Sequence, residues 1–238
     1  MWATNCSGWE DRGADLQCLV CRHSQDGKDQ DPEKDPADSI MILLITPSVI
    51  AANKPDAYQV INHISLPGHT STNGAHIKFS SFRVPEHNVL AAPGKAAAAI
   101  VAQSFTSSAA LVGAMSVGIM AAAFEAALEF AKRDSRRGKE GLLNRQSVAD
   151  LLMDVKMRAD AARFLTWKAA DAIDKGLGGE LALEAKIWCS DMAVKAVVDA
   201  MSAVGMWVSL VMYILGVCTL IYIVIGRRII KTGCFRGC

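Results

Sequence analysis

The apolar residues of this chain follow one spacing in the first 85 residues and another after residue 95. Residues 14–21 alternate in part between apolar and polar side chains, and residues 40–45 form a continuous apolar run of strand length. Residues 76–84 are a further candidate strand, which Pro85 ends. Residues 24–38 are dense in Asp, Gln, Lys and Pro, which is typical of a loop. The first part of the chain therefore predicts a small antiparallel sheet or barrel.

Residues 96–132 form a long proline-free stretch that opens with four alanines and has no acidic residue before Glu125. Small residues lie between its large apolar ones, and small side chains let neighbouring backbones approach closely, so we predict a helix buried in a bundle. Ser107 and Ser108 are exceptions, because hydroxyls on an apolar face need a hydrogen-bond partner. The large apolar residues are Ile100, Phe105, Leu111, Met115, Ile119, Phe124 and Leu128.

Two further helices are predicted behind a charged turn. Ser147 suits an N-cap, and apolar residues then recur at three- and four-residue steps from Val148 to Ile173. Glycines at 176, 178 and 179 end this helix. A third helix follows from about residue 180 to 204, and a sheet followed by helices indicates an α+β fold. The residues expected to point inward from this third helix are Leu183, Ile187, Val194, Val197, Val198 and Met201.

Neither the net charge nor the cysteine spacing indicates a nucleic-acid site or a metal site. The 25 basic and 24 acidic residues give a net charge of +1, which gives no sign of a nucleic-acid partner. Seven irregularly spaced cysteines do not form a disulfide pattern. Cys18 and Cys21 have the spacing of a redox or zinc pair, but no second pair completes a site, so we interpret them as strand residues and expect no metal.

The C-terminal residues have the composition of a membrane helix. Residues 207–225 carry no charge and are long enough for a hydrocarbon core of about 30 Å. Arg227, Arg228 and Lys231 follow, and such a basic flank favours the cytosolic side. The pattern predicts a single transmembrane helix.

Several segments together resemble the acyl-CoA dehydrogenase superfamily of flavoproteins. They are residues 2–5 (WATN) with 13–15 (GAD), 79–90 (FSSFRVPEHNVL), 136–146 (RRGKEGLLNRQ) and 196–206 (AVVDAMSAVGM). Residues 2–5, 108–115 (SAALVGAM) and 146–150 (QSVAD) look most like the nitroalkane oxidase branch of that superfamily. The order and spacing of these segments extend over some 205 residues.

The resemblance implies an FAD-dependent oxidoreductase that acts on the CH–CH bond of an acyl-CoA or on the C–N carbon of a nitroalkane. It also implies a homotetramer. By this resemblance Trp2 lies against the flavin ring and Thr4 hydrogen-bonds near its reactive edge. Cys6, or its neighbour Ser7, takes the place where the nitroalkane oxidase branch has a further hydroxyl.

The same resemblance gives two residues to the far end of the cofactor. Arg136 and Gln146 resemble residues that hold the FAD diphosphate and adenosine across a subunit interface, and a guanidinium suits phosphate oxygens. The chain departs from the pattern beside them, since Arg145 stands where histidine is commoner and Arg137 where an aromatic residue is usual.

The family's reaction needs a carboxylate base, and the sequence does not supply one at the positions the resemblance indicates. Ser108 occupies the alternative position on the first bundle helix, where a serine supports the carboxylate rather than replacing it. We expect no catalytic base within this chain, which would leave the fragment itself inactive, and Ser108 as a supporting residue.

These observations predict three segments. Residues 1–93 form a partial middle β-domain, residues 94–206 an incomplete helical-bundle domain, and residues 207–238 a candidate transmembrane helix with a basic tail. Because the chain opens inside a signature and its tail departs abruptly from the family, we expect an internal fragment whose tail is translated intron or shifted-frame sequence. The alternative is a non-catalytic, membrane-tethered or subunit-pairing protein, and localisation stays open.

Overall fold

The computed structural model describes residues 2–3, 16–24, 35–64, 74–134, 141–177 and 179–205. The chain divides into two compact units, Met1–Ser104 and Phe105–Cys238, so that the boundary lies inside the longest helix. The first unit carries the described β-structure and the second unit the helical bundle. This order confirms the α+β fold and the antiparallel β-structure followed by helices.

The described strands of the first unit form two three-stranded antiparallel sheets. The order is β1-β5-β4 in one sheet and β2-β3-β6 in the other. A short helix, α1 (Pro47–Ala51), follows β3, and the Thr46 side chain accepts a hydrogen bond from Val49 N to cap it. The strands are β1 (Trp2–Ala3), β2 (Gln17–Arg22), β3 (Ile40–Ile45), β4 (Tyr58–Ile64), β5 (Gly74–Phe79) and β6 (Val89–Ala91).

Burial explains which strands the sequence predicts. The apolar run of β3 places Ile42 and Ile45 in the interior, and β5 buries alternate residues Ala75 and Ile77. Beyond Phe79 the strand predicted through residue 84 is wrong, because the chain leaves the ladder at residue 80 and Ser81 takes a positive φ of 49°.

The helical unit consists of α2 (Lys95–Arg133), most of which belongs to it, α3 (Gln146–Asp174) and α4 (Glu180–Val204). One core cluster joins all three helices, with Met120 from α2, Val155 from α3 and Val197 from α4 almost completely buried. Most other buried positions of the cluster are alanines, which lets the helix backbones approach closely. Gly176, with φ +66°, turns the chain after α3 as the glycines predict.

The side of α2 that is buried differs from our expectation. The small residues Ala109, Ala110 and Ser116 are buried, whereas Phe105 and Leu111 are each 67% exposed. In this part of α2 the side chains buried against its neighbours are small, and the large side chains of Phe105 and Leu111 point outward. Val198 on α4 is likewise exposed rather than inward.

The start of α3 also differs from the sequence prediction. The predicted N-cap at Ser147 is wrong, because α3 begins at Gln146 with Arg145 at the N-cap position and no side-chain cap hydrogen bond.

Among the described residues, one helix is long and apolar enough to span a membrane. By length and composition, α2 could cross a membrane, and a third of its most apolar window is buried inside the protein. A core helix meets the same criteria, so this is weak evidence. The transmembrane helix predicted at residues 207–225 lies outside the described part of the chain.

Candidate functional site

The exposed side of α2 carries the first candidate residue. Ser107, Ser108, Leu111 and Met115 are all exposed, so polar and apolar side chains share one accessible surface. The Ser108 hydroxyl donates to the carbonyl of Phe105 at 3.1 Å. The Ser108 hydroxyl therefore has a backbone acceptor as its partner. Its oxygen lone pairs stay free to accept a hydrogen bond.

The opposite side of α2 is packed tightly. At Gly113 an added Cβ would lie 3.0 Å from Thr166 Oγ1 and 3.5 Å from Ala185 Cβ, so three helices meet there. Thr166 Oγ1 lies 3.7 Å from the Sγ of Cys189, and this thiol in turn reaches the Ala162 carbonyl at 3.7 Å. The close packing at Gly113 holds α2 against its two neighbours about 1.4 turns beyond Ser108.

Sequence reasoning missed the Thr166–Cys189 pair. Both residues fall at positions where the helical spacing requires a buried side chain, and a polar residue at such a position is the signal that could have identified it. Burial raises the pKa of the Cys189 thiol, and the hydrogen bond with Thr166 offsets part of that rise. The thiol is therefore neutral and structural, not a nucleophile.

The second candidate residue stands at the start of α3. Gln146 is exposed, and its Nε2 donates to Asp150 Oδ1 at 2.7 Å, which fixes the amide against the first turn. No side chain caps this helix start. The N-terminal end of α3 therefore combines a fixed amide with a partial positive charge from the helix dipole, a combination that suits an anion such as a phosphate.

The two candidates lie at opposite ends of the helical unit. Ser108 precedes the last residue of α2, Arg133, by 25 residues, or roughly 37 Å of helix at 1.5 Å per residue. The Leu142 amide donates to the Asp134 carbonyl at 3.2 Å, so α3 begins where α2 ends. Ser108 and Gln146 of one chain therefore do not line one compact site.

The other predicted site residues are described only in part. The backbone of Trp2 belongs to β1 and pairs with His76 of β5, which places it in the first unit. The side chain of Trp2 and all of Thr4, Cys6 and Arg136 lie outside the described residues.

The interpretation of Cys18 and Cys21 as strand residues is confirmed, since both lie in β2. Burial raises the pKa of the Cys21 thiol. Among the described residues, no group of three His, Cys, Asp or Glu side chains is placed to hold a metal ion.

Comparison with known proteins defines the class. The family model described as acyl-CoA dehydrogenase, C-terminal domain, matches residues 98–208, which include most of α2 and all of α3 and α4. This match places an acyl-CoA dehydrogenase C-terminal domain in the helical part of the chain, behind the antiparallel β-structure.

Over most of its length the chain is similar to nitroalkane oxidases. It is 48% identical over 212 residues to the nitroalkane oxidase of Fusarium oxysporum and 48% identical over 210 residues to that of Podospora anserina. These alignments cover 87% and 86% of this chain but 48% of each relative. The chain therefore spans about half the length of the curated relatives it matches.

A solved structure agrees with the sequence comparison. An active-site mutant of nitroalkane oxidase crystallized with 1-nitrooctane superposes with a TM-score of 0.87 at 43% identity, covering 93% of this chain and 53% of that one. The fold and the resemblance stated from the sequence are thereby confirmed.

Proposed function

We propose that this chain forms part of an FAD-dependent oxidoreductase that oxidises a nitroalkane, with an acyl-CoA as the alternative substrate class. The observation that carries the proposal is the 48% identity to nitroalkane oxidase, which extends over both the β-structure and the helical bundle. FAD, when bound, supplies the acceptor for the electrons that leave the substrate carbon.

The exposed side of α2 supports a substrate-facing role for Ser108. Its hydroxyl is accessible, and its hydrogen bond to the Phe105 carbonyl fixes its orientation. The oxygen can therefore accept a hydrogen bond from a polar group of the substrate. Leu111 and Met115 on the same side provide apolar surface for an alkyl chain. A hydroxyl without an adjacent base does not abstract a carbon-bound proton, so Ser108 acts as a supporting residue.

The N-terminal end of α3 supports binding of the cofactor's diphosphate or adenosine end. Gln146 offers its amide oxygen and one remaining N–H while Asp150 holds the group in place. The uncapped helix start adds backbone N–H donors. Trp2, Thr4, Cys6 and Arg136 stay proposals by resemblance for the ring and diphosphate contacts.

The distance between the two ends supports sharing of the cofactor between copies. Since roughly 37 Å of helix separates Ser108 from the end of α2, beside which α3 and Gln146 begin, we infer that the substrate end and the adenosine end of one FAD contact residues from two chains. This is consistent with the homo-oligomer, a tetramer by resemblance, that the family implies.

The test is retention of flavin by the purified full chain, followed by turnover. We expect yellow protein after gel filtration with FAD, loss of retention in Gln146→Leu, and retention unchanged in Gln103→Leu, a control on an exposed glutamine of α2. We expect no turnover of 1-nitrooctane by this chain alone, because it lacks a carboxylate base, and we expect Ser108→Ala to weaken binding of 1-nitrooctane by about tenfold, the loss of one hydrogen bond. Protein that holds no flavin, or a Gln146→Leu variant that holds flavin as well as the unmodified chain, refutes the proposal.

A second function is favoured by one observation, the exposed apolar side of α3 that carries Met153, Phe164 and Trp167. A chain that keeps this surface can act as a non-catalytic subunit-pairing protein, with membrane tethering through residues 207–225. Co-purification of this chain with a longer relative, with or without flavin, favours this alternative.

A further inference from the structure

A groove between α3 and α4 is open to solvent and has an apolar floor. It has a volume of about 480 Å³, and Leu165, Ile187 and Trp188 are among the residues that line it. Trp188 is 36% exposed, and Val198, further along the same side of α4, is 53% exposed. Contiguous exposed apolar surface marks a site at which another segment or molecule binds.

The same side of α4 carries negative charge at its N-terminal end. Glu180 and Glu184 are both exposed and lie one helical turn apart, and Glu184 lines the groove. Neither carboxylate has an ion pair within the described part of the chain. Like charges one turn apart repel each other, so two positive charges beside them would stabilise this end of α4.

The chain itself carries a segment of complementary composition directly after α4. Residues 207–225, called the apolar segment below, are uncharged, and Arg227 and Lys231 follow them with the four-residue spacing of the two glutamates. The family match ends at residue 208, so the apolar segment lies almost entirely outside it. Helix α4 ends at Val204, and Gly205 follows with a positive φ of 76°, which turns the chain away from the helix axis.

The distances along the chain bring the opposite charges together. Glu184 lies 20 residues before the end of α4, and Arg227 lies 20 residues after the start of the apolar segment. At 1.5 Å per residue both stretches are about 30 Å of helix, so a helix that runs back along α4 places Arg227 beside Glu184. Glu180 and Lys231 are each four residues further from the turn, so they meet in the same way.

The apolar side chains meet in this register as well. Ile223 comes beside Trp188 in the groove, and Tyr213 comes beside the exposed Val198. The residues of the tail that face α4 follow one another at steps of three and four, which is the spacing of one side of a helix. They are Tyr213, Gly216, Leu220, Ile223, Arg227 and Lys231.

Two charged residues of α4 face the uncharged part of the tail. Asp191 is half-buried and has an interaction partner of its own. Lys195 is exposed and comes opposite Gly216, which has no side chain to displace it. A lysine can cover apolar surface with its stem and keep its ammonium group in water, so neither charge opposes the contact.

We propose that the apolar segment folds back as a helix along α4, covers the groove between α3 and α4, and brings Arg227 to Glu184 and Lys231 to Glu180. The occupant of the groove is thus a part of this chain that lies outside the described residues. The arrangement requires neither flavin nor a second copy of the chain. Its failure is therefore distinguishable from failure of the proposed oxidoreductase function.

Carbodiimide cross-linking of the purified full chain, followed by mass spectrometry, tests the register. The reagent condenses a carboxylate with an amine that touches it, so it should join Glu180 to Lys231. A mixture of chains labelled with light and heavy nitrogen should show that the link forms within one copy. Glu125, an exposed acid of α2, is the control and should not be joined to Lys231.

Partition of the chain into vesicles measures the strength of the contact. The apolar segment must leave the groove before it can insert into a bilayer, so a weaker contact should raise partition into uncharged phosphatidylcholine vesicles. We expect Glu184→Arg to raise it about threefold to tenfold, because an attractive pair becomes repulsive. Glu125→Arg makes the same charge change on α2 and should leave it unchanged. Adding Arg227→Glu to Glu184→Arg should lower it again.

The competing outcome is a membrane helix that never occupies the groove. Insertion into vesicles without a Glu180–Lys231 link in buffer would establish that outcome and overturn the proposal. A link found only between copies, or partition that Glu184→Arg does not change, would also overturn it. Circular dichroism of Glu184→Arg and Glu125→Arg should match that of the unmodified chain, so that a changed partition is not the result of misfolding.

Discussion

Helix α2 packs closely against Thr166 and Ala185 at Gly113 but not at Gly118, so the two glycines should respond differently to substitution by alanine. Gly113 and Gly118 both lie inside α2, five residues apart. An added methyl group at Gly113 meets Thr166 Oγ1 at 3.0 Å, whereas at Gly118 nothing lies within 4 Å. Alanine should therefore destabilise the protein at the first position and stabilise it at the second.

The magnitude follows from two opposing effects. Replacing glycine by alanine inside a helix stabilises it by about 0.5–1 kcal/mol, because the unfolded chain loses conformational freedom. Overpacking of a dense core costs about 1–3 kcal/mol. The contact at Gly113 is tight and its neighbour Thr166 is buried, so the overpacking cost exceeds the gain. We expect a net loss of about 1–2 kcal/mol for Gly113→Ala and a net gain of up to about 1 kcal/mol for Gly118→Ala.

Urea denaturation of both variants measures the difference in free energy of unfolding. Adding Thr166→Ala to Gly113→Ala removes the contacted hydroxyl and methyl, so the pair should lose less stability than the sum of the two single changes, by about 0.5–3 kcal/mol. The reasoning is refuted if Gly113→Ala proves as stable as Gly118→Ala, or if the stability losses of Gly113→Ala and Thr166→Ala simply add. In either case the close approach of the three helices does not require glycine at position 113.

Three other predictions use the same measurement. Gly179→Ala should destabilise the helical unit, because its Cβ would overlap Thr106 Cγ2 at 1.6 Å, and Thr106→Ala should relieve part of the loss. Arg158→Met should cost about 1–2 kcal/mol, since it leaves the partly buried Asp199 carboxylate unpaired. Burial raises the pKa of the Cys189 thiol, so above about pH 8.5 the unfolded chain loses a proton that the folded chain keeps, and stability falls as pH rises. Cys189→Ala should remove this part of the alkaline loss.

Each of these predictions has a matched control. Gly141→Ala meets nothing within 4 Å and should not show the loss expected at Gly179. Lys175→Ala breaks an exposed pair with Asp171 and should change stability by less than about 0.5 kcal/mol. For the thiol, the stability difference between the unmodified chain and Cys189→Ala should be smaller at about pH 10 than at neutral pH. A difference that does not shrink, or an Arg158→Met loss no larger than the surface control, contradicts the reasoning.

Elements with strong local signals were predictable from the sequence. The bounds expected for α4, about 180 to 204, and for the apolar strand at 40–45 match the structure, because glycines and a proline mark their ends. The long alanine-rich helix is found at Lys95–Arg133, since its composition favours helix without help from neighbours. The family resemblance came from short segments in a fixed order, and the comparisons support it.

Other features depended on partners that are distant in the sequence. Strand β4 was not predicted, because its stability comes from pairing with β5 and from the Tyr58–Phe79 ring contact. The Ser147 cap failed because α3 starts two residues earlier than the local pattern suggests.

The sequence alone determined that α2 is a helix and that Ser108 lies on it. Only the tertiary structure decided which side of that helix is buried. Three helices meet at Gly113, and only small side chains allow their backbones so close, so Phe105 and Leu111 point outward although they are the more hydrophobic residues. Hydrophobicity can be read from single residues, but the space between helices is set by all of them together.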